Sequence, residues 1–264
     1  MNLKKVSVCL GLAAGSALAF SSAPAQAFSF NTGDNLGTCS GLLPVPGTLP
    51  SCTTGDGFGI IAKPDGYLLR SKTVNGVTGI GIQATNPVAP GDGFDAVRDE
   101  IDKGEFMHLI APTSNTVLKD LGLAFLYRRA ELGTPNFSDL INEIAYVDVF
   151  GAGGVDLGTG TLTVLDDGAT ALWEFGDIVQ NVTGNFTGSG PGYANISNPF
   201  GNQGIEKLVL RVNQSQSDNF QQSDYGLVNA SVDTSIPEPA ALAGLGVVGA
   251  GLVLSRRRRP NKSN

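Results

Sequence analysis

The chain predicts a mostly β protein: a single β-sandwich or jelly-roll-like domain, flanked by an N-terminal signal peptide and a C-terminal transmembrane helix. Three observations carry this reading. Apolar and polar residues alternate through short runs in the middle of the chain. Clusters of glycine, asparagine and proline separate those runs. The long uninterrupted apolar segments lie at the two ends, each beside lysines or arginines. Period-two patterning with frequent turn signals is the signature of strands that bury one face. The expected organisation is a signal peptide over 1–27, a secreted β-rich domain over 28–235 and a C-terminal segment with an apolar run and arginines over 236–264.

At the start, Lys4 and Lys5 precede an apolar, small-residue segment from Val6 to Phe20, followed by Ser21 to Ala27. This is the three-part layout of a secretory signal. Ala25 and Ala27 place small residues before a signal-peptidase cut ahead of Phe28, after passage through the general secretion machinery. Cys9 sits too early in the apolar segment for a lipidation site.

Two cysteines follow, Cys39 and Cys52, separated by a loop rich in proline and glycine. In an oxidising envelope compartment such a pair is most simply a disulfide. A thiol-based metal site would need further soft ligands, and the chain holds a single histidine, His108.

The strand runs come next. Leu121, Leu123, Phe125 and Tyr127 alternate on one face, and Ala145, Val147 and Val149 oppose Tyr146, Asp148 and Phe150. Further runs contain Leu162 and Val164; Leu172, Trp173 and Phe175; Leu208, Leu210 and Val212; and Leu227 to Val232. Gly151–Gly154, Asp166-Asp167-Gly168 and Gly188–Gly192 read as turns between them. A helix is the competing reading only at Ala89–Lys103 and Phe137–Glu143, the second with Ser138 as its cap. No fixed-period repeat is evident, which disfavours a β-helix or propeller.

Charge is distributed unevenly. Of 17 lysines and arginines, seven lie in the two terminal segments; the body from Phe28 to Glu238 keeps ten against 24 carboxylates, a formal charge of −14. An acidic surface repels phosphate backbones and anionic bilayers, so nucleic acid is not an expected partner. A divalent cation or a neutral polysaccharide remains compatible.

The C-terminus begins with Pro237, Glu238 and Pro239, continues with an uncharged apolar run from Ala240 to Leu254, and ends with Arg256, Arg257, Arg258 and Arg259. Two prolines one residue apart hold the triplet extended. The run, at about 1.5 Å per residue, reaches roughly 22 Å against a hydrocarbon core of ~30 Å, and arginine snorkelling with local thinning makes up the difference. The arginines hold that end in the cytoplasm. This order of triplet, short apolar helix and arginine cluster resembles the PEP-CTERM sorting signal of Gram-negative bacteria and cyanobacteria. The resemblance covers about residues 236–259. It implies that an integral-membrane exosortase processes the tail, after a transient hold in the inner membrane, and releases the body to the cell surface or the extracellular matrix. It says nothing of what the body does there.

Candidate chemistry in the body is sparse. His108 lies in a strand-like run beside Phe106, the setting of a packed histidine rather than a catalytic base. No Gly-x-Ser-x-Gly elbow is present, and the body is not expected to be an enzyme. Asp92, Asp95, Asp99, Glu100 and Asp102 put five carboxylates into eleven residues. Calcium takes hard oxygens of this kind, with Asp92, Asp95 and Asp99 as its ligands, although the spacing is not that of an EF-hand. Solvated charge in a turn is the competing reading, and Asp166-Asp167 is a poorer cluster of the same type. No other cofactor is expected. Trp173 shares a face with Phe175 and reads as core, whereas Tyr193, in a glycine-rich loop, is the better-exposed aromatic for stacking on a sugar. Within the body, Asn-x-Ser/Thr triplets begin at Asn136, Asn181, Asn185, Asn195, Asn213 and Asn229, a count that follows from composition.

Together these features predict an exported surface protein with a structural or adhesive role. The alternatives are a module that binds extracellular polysaccharide and, more weakly, a glycan-active enzyme.

Overall fold

A computed structural model describes residues 26–43, 47–83, 99–129, 141–214 and 223–232. These residues belong to one compact unit, Ala25–Thr234. Fifteen strands run through them in order: β1 (Gln26–Ser29), β2 (Thr48–Leu49), β3 (Ser51–Thr53), β4 (Gly59–Lys63), β5 (Leu68–Val74), β6 (Val77–Gln83), β7 (Phe106–Ile110) and β8 (Leu118–Ala124); then β9 (Ile144–Gly151), β10 (Val155–Val164), β11 (Thr170–Phe175), β12 (Ile178–Thr183), β13 (Ala194–Ser197), β14 (Lys207–Arg211) and β15 (Gly226–Val232). Among the described residues, helix is confined to two short 3-10 turns, Gly37–Leu42 and Ala152–Gly154.

The strands form two antiparallel sheets in a β-sandwich-like arrangement. A seven-stranded sheet has the order β13-β8-β15-β6-β5-β2, with β1 also paired to β15. An eight-stranded sheet has the order β12-β11-β10-β9-β14-β7-β4-β3. One cluster of buried apolar side chains draws on both: Leu121, Leu123, Ala230 and Val232 from the first, Val147, Val149, Leu162 and Leu208 from the second. Tyr225 ties the sheets together by donating its hydroxyl to the carbonyls of Tyr146 at 2.8 Å and Arg211 at 3.2 Å.

Local sequence explains the strand-and-turn pattern. In β9 the alternation is strict: Ala145, Val147 and Val149 are buried while Tyr146, Asp148 and Phe150 are only partly so. Each large apolar side chain so buried contributes about 1.5–3 kcal/mol, which sets the register, since a one-residue slip would put all three in water. The turn into β10 needs left-handed backbone at Gly153 (φ 70°) and Gly154 (φ 76°), which glycine adopts without a Cβ clash. In the turn after β10, Asp167 accepts hydrogen bonds from the backbone N–H of Ala169 at 2.9 Å and Thr170 at 2.8 Å. Those bonds hold its carboxyl below the usual carboxylate range.

Two expectations change. Phe125 does not continue the face of Leu121 and Leu123. Its φ of 71° ends β8 and breaks the two-residue period, so the ring joins a separate cluster with Ala124 and Val228. Gly79 and Gly226 make room: a Cβ on either would stand 3.1 Å and 2.8 Å from the ring. The helical alternative at Ala89–Lys103 fails where it is described. Glu100 bridges to Ile82 and Ile101 to Tyr225, so this backbone is spent on sheet hydrogen bonds. Of Phe137–Glu143, residues 137–140 lie outside the described residues, and Glu143 donates its N–H to Tyr127.

Candidate functional site

The seven-stranded sheet carries a cleft of about 380 Å³ lined by both polar and apolar side chains. Three neighbouring strands supply polar side chains to it: β8 gives Asp120, β13 gives Asn195, and β15 gives Asn229 and Ser231. Registry aligns them, because Asp120 stands opposite both Ser197 and Ser231 while Gly122 stands opposite both Asn195 and Asn229. Tyr193 forms part of the wall, together with β1 and the turn residues Asn31, Thr32 and Asp34.

These groups form a ladder. Tyr193 donates its hydroxyl to Asn229 Oδ1 at 3.0 Å, and Asn229 Nδ2 donates to Asn195 Oδ1 at 3.3 Å. Asp120 accepts from Ser197 at 2.9 Å and from Ser231 at 2.7 Å. Gly122 permits the central link, since a Cβ there would come within 2.0 Å of Asn229 Oδ1. Burial, and then the charge of Asp120, push the Tyr193 phenol above its usual range, so it remains a neutral donor. Amides, hydroxyls and the carboxylates of Asp120 and Asp34 offer both donors and acceptors on one surface, with the half-buried Tyr193 ring at the edge. That combination suits a polyhydroxylated, uncharged ligand: paired hydroxyls meet planar side chains, and C–H faces meet the ring.

A second polar group sits on the eight-stranded sheet and is satisfied from within. Arg211 donates from Nε to Asp148 Oδ2 at 2.6 Å and from the guanidinium to Oδ1 at 2.9 Å, and Thr159 donates to the same carboxylate at 2.7 Å. Tyr146 lies under the guanidinium, 5.2 Å from ring centre to cation.

The residues singled out in the sequence fall as follows. Cys39 and Cys52 form a disulfide. Trp173 is fully buried, with its indole N–H donating to the Pro199 carbonyl at 2.9 Å and its ring edge-on to Phe200. Tyr193 is half-buried at the cleft, less exposed than its loop suggests. His108 pairs with Ile61 and Val209 on β7, and burial, then Lys207 and Lys63, lower its pKa. Asp99 faces the Arg70 guanidinium at 3.0 Å. Asp92 and Asp95 lie outside the described residues, among which no group of three or more His, Cys, Asp or Glu could hold a metal. Asp166 pairs with Arg129 at 3.2 Å. Ala27 is exposed on β1 opposite Ser231. Ala25, Pro237, Glu238, Pro239 and Arg256 to Arg259 lie outside the described residues. No described helix is long and apolar enough to cross a membrane.

Sequence reasoning missed the cleft, although one signal for it was visible. Asn195-Ile196-Ser197 and Asn229-Ala230-Ser231 were notable only as glycosylation-type triplets. On a strand, residues two apart share a face. Each triplet therefore sets an amide and a hydroxyl side by side, and the sheet brings the two triplets to either side of β8.

A β-sandwich-like body carrying this cleft is thus the class defined by the structure. No protein-family model matches the chain, and neither does any curated protein or solved structure.

Proposed function

We propose that this is an exported protein of the cell surface or extracellular matrix whose body holds a neutral polysaccharide in the cleft formed by β8, β13 and β15. The ladder from Tyr193 through Asn229 and Asn195, beside Asp120 with its two serines, is the observation that supports this reading. Its donors and acceptors are already arranged, so little side-chain entropy is lost on binding. The body's charge of −14, from ten bases against 24 acids, disfavours anionic polymers and is compatible with neutral ones.

Delivery follows from the ends of the chain. Signal peptidase cuts ahead of Phe28, and the C-terminal apolar run then holds the protein in the inner membrane. An exosortase acts at Pro237-Glu238-Pro239 and releases the body to the matrix, where its role is structural or adhesive. The cut ahead of Phe28 falls within β1 and removes Ala27, which lines the cleft opposite Ser231, while Asp120, Asn195, Asn229 and Ser231 lie on later strands. No catalytic step and no cofactor belong to this function.

Glycan-array binding by the exported protein tests the ligand. Signal on neutral glycans, lost in Asn229→Ala and Asn195→Ala, is expected; a flat array sinks the polysaccharide reading and leaves the structural role. Mass spectrometry of the mature protein from native cells tests the sorting. An intact arginine tail would sink processing.

A further inference from the structure

Edge strands expose a row of unpaired backbone donors and acceptors, and proteins usually blunt them with lysine, proline, bulges or brevity. Among the described residues, the strands paired on one side only are β13, β2, β12, β3 and the four-residue β1. β2 has two residues, β3 has three and β13 has four. β12 has six, Ile178-Val179-Gln180-Asn181-Val182-Thr183. It contains no charge, no proline and no glycine, and four of its residues are β-branched. Its register with β11 runs unbroken from Thr170↔Thr183 to Phe175↔Ile178, so no bulge twists the edge away. Val179 is 63% exposed on it.

We propose that β12 is a self-pairing edge, through which a second copy of this chain adds antiparallel to the eight-stranded sheet. The edge's outward backbone groups, unpaired among the described residues, specify a strand as partner, and the sequence of β12 specifies itself. A two-fold axis at Gln180 sets Gln180 against Gln180, Val179 against Asn181, and Ile178 against Val182. Each pair is separated by an even number of residues, so both copies keep the same face toward their own cores. No like charges meet in this register, and the isologous contact closes as a dimer.

Charge gives the pairing a direction that can be measured. Two bodies of −14 repel at long range, while the contact itself is uncharged. Raising the salt screens the repulsion and leaves the strand pairing intact, so the dimer strengthens with salt. A basic partner docking on this acidic protein would show the reverse.

The test is sedimentation velocity on the exported protein across protein concentration, at ~50 mM and ~500 mM salt, where the Debye length falls from roughly 14 Å to 4 Å. A concentration-dependent dimer favoured at the higher salt is expected. Val179→Lys abolishes it by placing a charge at the contact, while Val155→Lys, at the other strongly exposed valine (59%), leaves it intact. Gln180→Cys gives a disulfide-linked dimer on oxidation, absent from the wild type. A monomer at every concentration overturns the proposal, and so does a dimer that survives Val179→Lys or is lost equally in Val155→Lys. Should Val179→Lys lower the melting temperature, Gln180→Cys decides: a linked dimer supports the pairing and a monomer overturns it. Glycan binding is read separately, so failure here leaves the cleft untouched.

Discussion

Asn195 and Asn229 hydrogen-bond to each other at 3.3 Å across the bare α-carbon of Gly122, which stands between them on β8. The two asparagines belong to strands separated by β8, and their side chains meet only because nothing projects from it.

That relationship makes Gly122→Ala a sharp test. The new methyl would lie within 2.0 Å of Asn229 Oδ1, so the amide must swing away. A loss of roughly tenfold or more in glycan binding is expected, with a stability change of about 1–2 kcal/mol by denaturant titration. Wild-type affinity in this variant would remove Asn229 from the binding surface.

Reduction of Cys39–Cys52 should weaken the fold without destroying it. The bridge closes a loop of sequence separation 13. In the chain-entropy model a loop of this size stabilises by about 3 kcal/mol, equivalent to a fall of roughly 6–12 °C in Tm for a domain of this size. Calorimetry with and without reductant, or of the double Cys→Ala variant, reads it directly.

The pair Lys72 and Glu100 gives a pH signature. Glu100 is 2% exposed and ion-paired to Lys72. Burial raises its pKa above the ordinary 4.5, against the lowering effect of Lys72 and of a hydrogen bond with Asp224. A raised carboxyl binds its proton more tightly in the folded state. Its contribution is therefore fully present below about pH 4.5 and is lost as pH rises through the higher folded value. Lys72→Met should sharpen this by leaving a buried charge, costing on the order of 3 kcal/mol near neutral pH and much less in acid. Adding Glu100→Gln should restore most of that loss. A destabilisation independent of pH would show that lost packing, not charge, is responsible.

Trp173, the chain's single tryptophan, reports on the core. Its emission in the native protein should be blue-shifted and move red on unfolding. Trp173→Phe leaves the Pro199 carbonyl without its indole donor at 2.9 Å and should cost about 1–3 kcal/mol. Gly160→Ala attacks the same place, since its Cβ would lie 2.4 Å from the ring.

Much of the architecture was legible in the sequence because it follows from local rules. The alternation of Ala145, Val147 and Val149 shows a strand with one wet face, Gly153 and Gly154 mark the turn after it, and Cys39 with Cys52 were paired by elimination. Phe125 was misplaced because a period-two pattern assumes extended backbone, and a residue at φ 71° turns its side chain out of that pattern.

The cleft was decided by tertiary structure alone. Asp120 meets Ser197 and Ser231 across 77 and 111 residues of sequence, and Tyr193 meets Asn229 across 36. Separations of that size are set by which strands neighbour one another and in what register, and no local propensity encodes either. Sequence alone determined that Asn195 and Ser197, or Asn229 and Ser231, share a strand face. That those faces lie on either side of β8, with a glycine between them, was settled only when the sheet closed.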